Sequence, residues 1–344
     1  MARMRGEGAD SIAKTFSSVA RRYDGDMQSV VGSSFNEDIN EYVLKPMSAF
    51  LALPSKRLRP VLCEAGCLLA GGRRESVRNC ALALESFHAA ALIHDDIEDA
   101  AKMRRGSAAY HVSEGVPLAI NAGDYGLVLA LHLILQDDAL SDAIKVRVLD
   151  EFAVMAEKTV EGQAMDIGWS RDGRLDISVE ECLLMIEDKS ACYSCAAPLA
   201  IGGIVAGGDH EVIDVLRHVG RKIGLAFQIR DDLKNLVLDE SHEGKDAALD
   251  ISKGKRTVVA TYALAHSDEA HELADILSSG TKDPAKVQRA VSIMEECGSL
   301  AYAEDMIGRY CADARDLLVG SFPDGEGRDL LEEVIVMIEG GDGA

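Results

Sequence analysis

Residues 87–99 read Phe87-His88-Ala89-Ala90-Ala91-Leu92-Ile93-His94-Asp95-Asp96-Ile97-Glu98-Asp99, and this stretch decides the fold. An apolar, alanine-rich run passes without Pro or Gly into a cluster of acids. Such composition favours helix. On a helix, positions i and i+4 lie one above the other on the same face. Asp95 and Asp99 therefore point together, with Asp96 on the flank. An acidic run ordinarily means a solvated face. Here the apolar lead-in argues instead for acids at the mouth of a cavity. Hard divalent cations prefer oxygen ligands, and Mg²⁺ typically takes one or two carboxylates plus phosphate oxygens.

Working outward, a second run reads Phe227-Gln228-Ile229-Arg230-Asp231-Asp232-Leu233-Lys234-Asn235. Asp231 and Asn235 share a helical face, and Asn235 stands where a third carboxylate is expected. Asn can still coordinate through its carbonyl oxygen, but carries no charge. The expectation is that both runs face each other across a helical bundle and cage several Mg²⁺ ions with a polyphosphate.

The remaining pattern agrees with helix almost throughout. Only 7 of 344 residues are Pro, 47% are hydrophobic and 5% aromatic. Helical patterns run near 12–23, 35–53, 57–71, 75–98, 116–136, 140–165, 178–206, 211–236, 254–279, 284–297, 299–318 and 327–339. Gly71-Gly72, Gly207-Gly208, Ser279-Gly280 and Pro323-Asp324-Gly325 punctuate them. No repeat and no interdomain linker is visible. The expected fold class is all-α: one domain over 1–344, with a deep central cavity. Residues 1–34 form an N-terminal helical extension and 320–344 a C-terminal helix and tail.

The net charge of −22 repels nucleic acid and anionic lipid. Cations that bind a polyphosphate must therefore be locally concentrated. They are: Lys56-Arg57-Leu58-Arg59-Pro60 precedes a helix, and Arg104-Arg105-Gly106 follows the first acidic run. Lys189-Ser190 sits in an apolar helix, while Lys245 and Lys255 bracket Asp250. Arg offers phosphate a bidentate fork and Lys a mobile point charge. The 8 Cys residues show no zinc-like or secreted disulfide spacing, so buried thiols and a cytoplasmic location are expected. Asn121 and Asp124 interrupt the apolar stretch 116–135, so no stable membrane insertion is expected.

These motifs, in this order, resemble the trans-isoprenyl diphosphate synthases, and the run from Phe227 to Leu236 is similar to geranylgeranyl diphosphate synthases. The resemblance spans nearly all of residues 45–310. It implies the isoprenoid-synthase bundle, Mg²⁺ as cofactor (three ions with substrate bound) and a homodimer. It implies head-to-tail condensation of isopentenyl diphosphate with an allylic diphosphate. The implied metal ligands are Asp95, Asp96, Asp99, Asp231, Asp232 and Asn235. Lys56, Arg59, His88 and Arg105 match the isopentenyl diphosphate site. Arg104, Lys189, Lys245 and Lys255 match the allylic diphosphate clamp, with Ser190 where Thr is usual. Gly162-Gln163-Ala164-Met165-Asp166 and Gln228 match the allylic pocket.

Family members shorten their product with bulky side chains four or five positions before the first Asp. Those positions here are Ala91 and Ala90. The next large residue is Phe87, roughly 12 Å down the helix against about 6 Å for Ala91, at 1.5 Å per residue. Phe87 as the floor implies geranylgeranyl diphosphate as product. A longer-chain synthase, a class I terpene cyclase and a non-catalytic synthase subunit are the alternatives. His94 and His111 are expected to pack or order the neighbouring loop. Asp124 and Asp166 support the site or the fold.

Overall fold

In this computed structural model the backbone is described for residues 3–236 and 250–340, and the side chains from Phe16 onward within those ranges. The chain divides into two compact units. The first comprises Met1–Phe152, Pro198–Leu216 and Phe322–Glu333; the second Ala153–Ala197, Arg217–Ser321 and Val334–Ala344.

Both units are helical. In chain order the helices are α1 (Arg3–Ser29), α2 (Glu37–Ile39), α3 (Lys45–Leu51), α4 (Leu58–Leu69), α5 (Arg78–Glu98), α6 (Tyr110–Ser113), α7 (Val116–Leu135) and α8 (Asp142–Arg171). There follow α9 (Val179–Ile186), α10 (Ala197–Val205), α11 (His210–Leu236), α12 (Val258–His266), α13 (Ala270–Ser278), α14 (Pro284–Glu296), α15 (Ser299–Ser321) and α16 (Glu326–Gly340). The all-α expectation holds.

In the first unit, α5 packs along α7 and against α4. Small residues permit the close approach. A Cβ on Gly126 would lie 3.0 Å from both the Ala90 Cβ and the Met47 Cε, and one on Gly123 would lie 2.1 Å from His94 Nε2. Cys63, Glu64 and Cys67 of α4 and Cys80 of α5 are buried, and Glu64 accepts a hydrogen bond from the Tyr23 hydroxyl at 3.0 Å. In the second unit, α12 packs against α9 and α15, and α14 joins α13 and α15.

Three local features depart from simple helical periodicity. The pattern over 254–279 is two helices, because α12 ends at Ser267, whose extended backbone and hydroxyl bond to Glu269 N compete with helix continuation. The segment Glu187–Ala196 is a π-helix pressed between neighbours. A Cβ on Gly162 would meet Lys189 N at 2.2 Å, and one on Gly224 the Ala191 Cβ at 2.6 Å. Finally, Met103–Arg104 and Ser107–Ala108 pair as a minimal antiparallel hairpin, a strand pair that helical patterning does not foresee.

α7 is long and apolar enough to cross a membrane by length and composition alone. Val116, Ile120, Val128, Leu131 and Leu135 are exposed on it. At 100° per residue they fall within an arc of about 120°, a single apolar stripe.

Candidate active site

The first acidic cluster is set by how α5 ends. The helix stops at Glu98, and Ala100 takes a left-handed backbone with φ of 50°. Ala101 N bonds to Asp96 O at 2.9 Å and Ala100 N to Ile97 O, the two bonds of a Schellman cap. Gly is usual at that left-handed position, and Ala there costs about 1 kcal/mol. The chain then reverses through the hairpin, where Arg105 (φ 50°) and Gly106 (φ 78°) form the two-residue turn. Arg57, which precedes α4, is the third non-glycine residue with positive φ among the described residues. Arg105 is itself a candidate site residue and the other two lie beside such residues, where backbone strain tends to collect.

The hairpin sends its two arginines to different places. Arg104 donates from Nε to Asp96 Oδ1 at 2.9 Å and from Nη2 to Asp95 Oδ2 at 3.3 Å, with a further bond from Nη2 to Asp96. Arg105 reaches Ser55 Oγ and His88 Nε2, each at 3.3 Å. A guanidinium only donates, so His88 Nε2 accepts. Burial drives the His88 pKa well below its usual value, and the charges of Arg59 and Arg105 add to the effect. Arg59 is buried at the start of α4, beside exposed Lys56. The Arg59 and Arg105 charges thus converge on His88 in the first unit.

Arg57 is different. Its buried guanidinium donates to Asp24 and Glu85 at 2.8 Å each and to Leu51 O at 2.9 Å. It anchors the loop that carries Lys56 and leads into α4, where Arg59 sits. The sequence groups it with the substrate-binding cations, but its donors are committed to the protein.

The carboxylates of α5 fit a hard cation by donor type. Asp95 is half-buried and Asp99 exposed, one helical turn apart. Asp96 is fully buried, and its Oδ2 has no hydrogen-bond partner among the described residues. Burial pushes its carboxyl upward, partly offset by Arg104. No three His, Cys, Asp or Glu side chains converge as a ready metal centre among the described residues. The cation between Asp95 and Asp96 in this structure is Arg104 itself.

His94 turns away from the acids into the notch left by Gly123, with Nε2 at 3.4 Å from Ile120 O and 3.6 Å from Asp124 Oδ1. That is the packing role expected of it. Further up α5 the alanine pair divides. Ala91 is half-buried, 40° round the helix from Asp95 at 100° per residue, whereas Ala90 is buried against Gly126. Phe87 is buried and meets the Phe152 ring edge-on, with centroids 5.4 Å apart. Phe152 escapes sequence reasoning because only folding brings α8 to α5.

The second cluster lies at the end of α11. Gln228 Nε2 donates to Asp232 Oδ1 at 3.0 Å across one helical turn. Asp232 is buried, and desolvation pushes its carboxyl up to about 7 against the pull of Lys255. Lys255 Nζ lies 2.8 Å from Asp250 Oδ1, and Asn235 Nδ2 donates to Asp250 Oδ2 at 3.1 Å. Burial alone would lower the Lys255 pKa; Asp250 and Asp232 outweigh it and raise it. In the same unit Lys189 pairs with Asp166. Asp231, Ser190 and Asn235 are half-buried. Lys245 lies outside the described residues.

Two arginines part from one turn, one to a pair of aspartates and one to His88, in an all-helical chain whose acids and cations are of the donor types that suit a metal ion and anionic groups. The comparisons give the class: residues 40–294 match the polyprenyl synthetase family model, and the chain belongs to that family. It is a trans-prenyltransferase. It is 35% identical over 290 residues to a short chain isoprenyl diphosphate synthase of Methanothermobacter thermautotrophicus, covering 83% of this chain and 86% of that protein. It is 36% identical to a geranylgeranyl diphosphate synthase of Saccharolobus solfataricus, covering 74% and 76%. Among solved structures, the geranylgeranyl pyrophosphate synthase of Corynebacterium glutamicum, complexed with isoprenyl diphosphate and magnesium, is 30% identical. It superposes with a TM-score of 0.81 over 97% of this chain and 98% of that one.

Proposed function

We propose that the chain joins isopentenyl diphosphate head-to-tail to an allylic diphosphate and releases geranylgeranyl diphosphate. The observation that carries the reading is the division of labour in the hairpin. Arg104 faces the acids that would meet a departing diphosphate, and Arg105 faces His88 and Arg59.

The residue roles follow from charge. Lys56, Arg59, His88 and Arg105 hold the isopentenyl diphosphate, which keeps its diphosphate throughout. Arg104, Lys189, Ser190, Lys245 and Lys255 receive the allylic diphosphate, which is lost. Magnesium, when bound to Asp95, Asp96, Asp99, Asp231, Asp232 and Asn235, supplies charge neutralisation for the leaving group. The number of ions proposed is three. With its diphosphate so held, the allylic C–O bond breaks and leaves an allylic cation. The double bond of isopentenyl diphosphate attacks that cation and forms the new C–C bond. One proton then passes to the departed diphosphate. Preorganised cations and exclusion of water carry most of the advantage, and no protein base is required. Gln163 and Gln228 line the allylic pocket.

Phe87, braced by Phe152, would stop growth near twenty carbons. Ala91 leaves the upper part of that face open. A homodimer is the proposed assembly, because the exposed apolar stripe of α7 suits burial against a second copy. A cytoplasmic location is proposed on the eight cysteines, all of them thiols in this structure.

The roles of the two arginines separate in steady-state kinetics. Arg105→Met should raise the KM for isopentenyl diphosphate by about tenfold or more while sparing the KM for the allylic substrate. Arg104→Met should lower kcat. Equal effects of both variants on both substrates would count against the assignment.

A further inference from the structure

Asn235 looks like a weakened metal ligand in sequence, a third carboxylate lost. The structure gives its amide a definite partner. Asp250 is buried, and its two oxygens are divided: Oδ2 accepts from Asn235 Nδ2 at 3.1 Å, and Oδ1 accepts from Lys255 Nζ at 2.8 Å. An ionised carboxylate can only accept, so the side of Asn235 that meets Asp250 is its NH₂. The amide oxygen is thereby the end left to point elsewhere. The turn around Asp250 is fixed by its own backbone. Lys255 N bonds to Asp250 O at 3.0 Å and Gly254 N to Ile251 O at 3.0 Å. Gly254 has φ of 57°, and a Cβ there would meet Leu277 O at 2.6 Å. Arg256 closes the turn from the other side by donating to Gly254 O at 2.7 Å. Asp250 and Lys255 are therefore held in one rigid turn, and Asn235 is the group that docks the end of α11 onto it.

We propose that Asp250 is a positioning residue that holds Lys255 and the end of α11 in place, and that Asn235 is an amide because it must donate to Asp250. The missing carboxylate of the second motif has a counterpart 15 residues on, which acts on the lysine. This rests on the prenyltransferase reading for its kinetic consequences. Restoring the expected acid with Asn235→Asp would set two carboxylates face to face at hydrogen-bond distance. Like charges so placed cannot both stay ionised without cost. That variant should therefore be worse than wild type, the opposite of what a simple ligand deficit implies. Exchanging both groups, Asn235→Asp with Asp250→Asn, restores one donor and one acceptor across the gap. The new amide at 250 still offers its oxygen to Lys255.

The test compares wild type, Asn235→Asp, Asp250→Asn and the double variant by kcat/KM for the allylic diphosphate, KM for isopentenyl diphosphate, and Tm. Each single variant should lose about tenfold or more in kcat/KM, the usual effect of removing a support behind a ligand or cation. The double variant should recover to within a few-fold of wild type. The KM for isopentenyl diphosphate should stay constant across the set, which general destabilisation would not produce. Asn235→Ser, a small neutral residue whose hydroxyl can donate, should stay more active than Asn235→Asp even where that variant folds poorly. An Asn235→Asp protein as active as wild type, a double variant no better than the worse single, or Asn235→Ser as impaired as Asn235→Asp would overturn the proposal. Should wild type catalyse no condensation, the fault lies with the proposed function. The pairing is then read from Tm alone, with the double variant expected above both singles and overturned if it falls at or below them.

Discussion

The ends of α5 and α11 carry nearly the same sequence signal and solve the same electrostatic problem by different means. At the end of α5 the counter-charge is local. Arg104 lies eight residues beyond Asp96 and returns through a tight hairpin to grip it. At the end of α11 the counter-charge is Lys255, held by Asp250, which also takes the amide of Asn235. The first cluster is self-contained within one stretch of chain. The second depends on a distant turn arriving in register. A carboxylate cluster can therefore be equally plain in sequence in both cases while its working geometry is readable in only one.

The comparison can be broken most severely by removing metal. Chelation with excess EDTA should abolish condensation, and added Mg²⁺ should restore it; activity that survives chelation would remove both clusters from the chemistry. Next, Asp95→Ala and Asp231→Ala should each lower kcat by about 100-fold or more, the scale on which preorganised charge acts. A much milder loss at Asp231 would mean that only the self-contained cluster matters.

Support can also be attacked on one side alone. Gly123→Ala should displace His94, whose ring fills that notch, and lower kcat by about tenfold with little change in KM for isopentenyl diphosphate. An unchanged kcat would free the first cluster from α7. Phe87→Ala should shift the product to longer chains with little loss of rate, since the acids and cations are untouched. An unchanged product length by mass spectrometry would remove Phe87 as the floor and leave Phe152 to be tested next.

The smallest effect concerns thiols. Cys192 and Cys297, half-buried and both in the second unit, should react first with a maleimide under native conditions. In the first unit, burial pushes the Cys67 thiol up to about 11 and the Cys80 thiol up to about 12, so both should stay unlabelled. Early labelling of Cys80 on peptide mapping would show that the start of α5 opens more readily than its burial implies.

Most helices were legible, because alanine-rich apolar runs with glycine punctuation leave few alternatives. The acids and their trailing arginines were legible for the same reason: they are contiguous. What the sequence hid is what tertiary contact decides. Ala90 and Ala91 are adjacent letters, yet one is packed on Gly126 and the other half-buried. Arg57 and Arg59 look equivalent, yet Arg57 is spent on Asp24 and Glu85. The hairpin at 103–108 was invisible to helical patterning because Arg105 adopts a left-handed backbone that arginine seldom takes. In sequence Asp250 is only an acid between two lysines, and its bond to Asn235 exists only in the fold.

The central claim is that this chain builds a twenty-carbon product from two diphosphates. The most direct measurement is to incubate the purified protein with Mg²⁺, isopentenyl diphosphate and each allylic starter of five, ten or fifteen carbons, and to identify the products by mass. The account predicts geranylgeranyl diphosphate, formed only when isopentenyl diphosphate is present. No condensation with any starter, or a cyclised hydrocarbon formed without isopentenyl diphosphate, would contradict it.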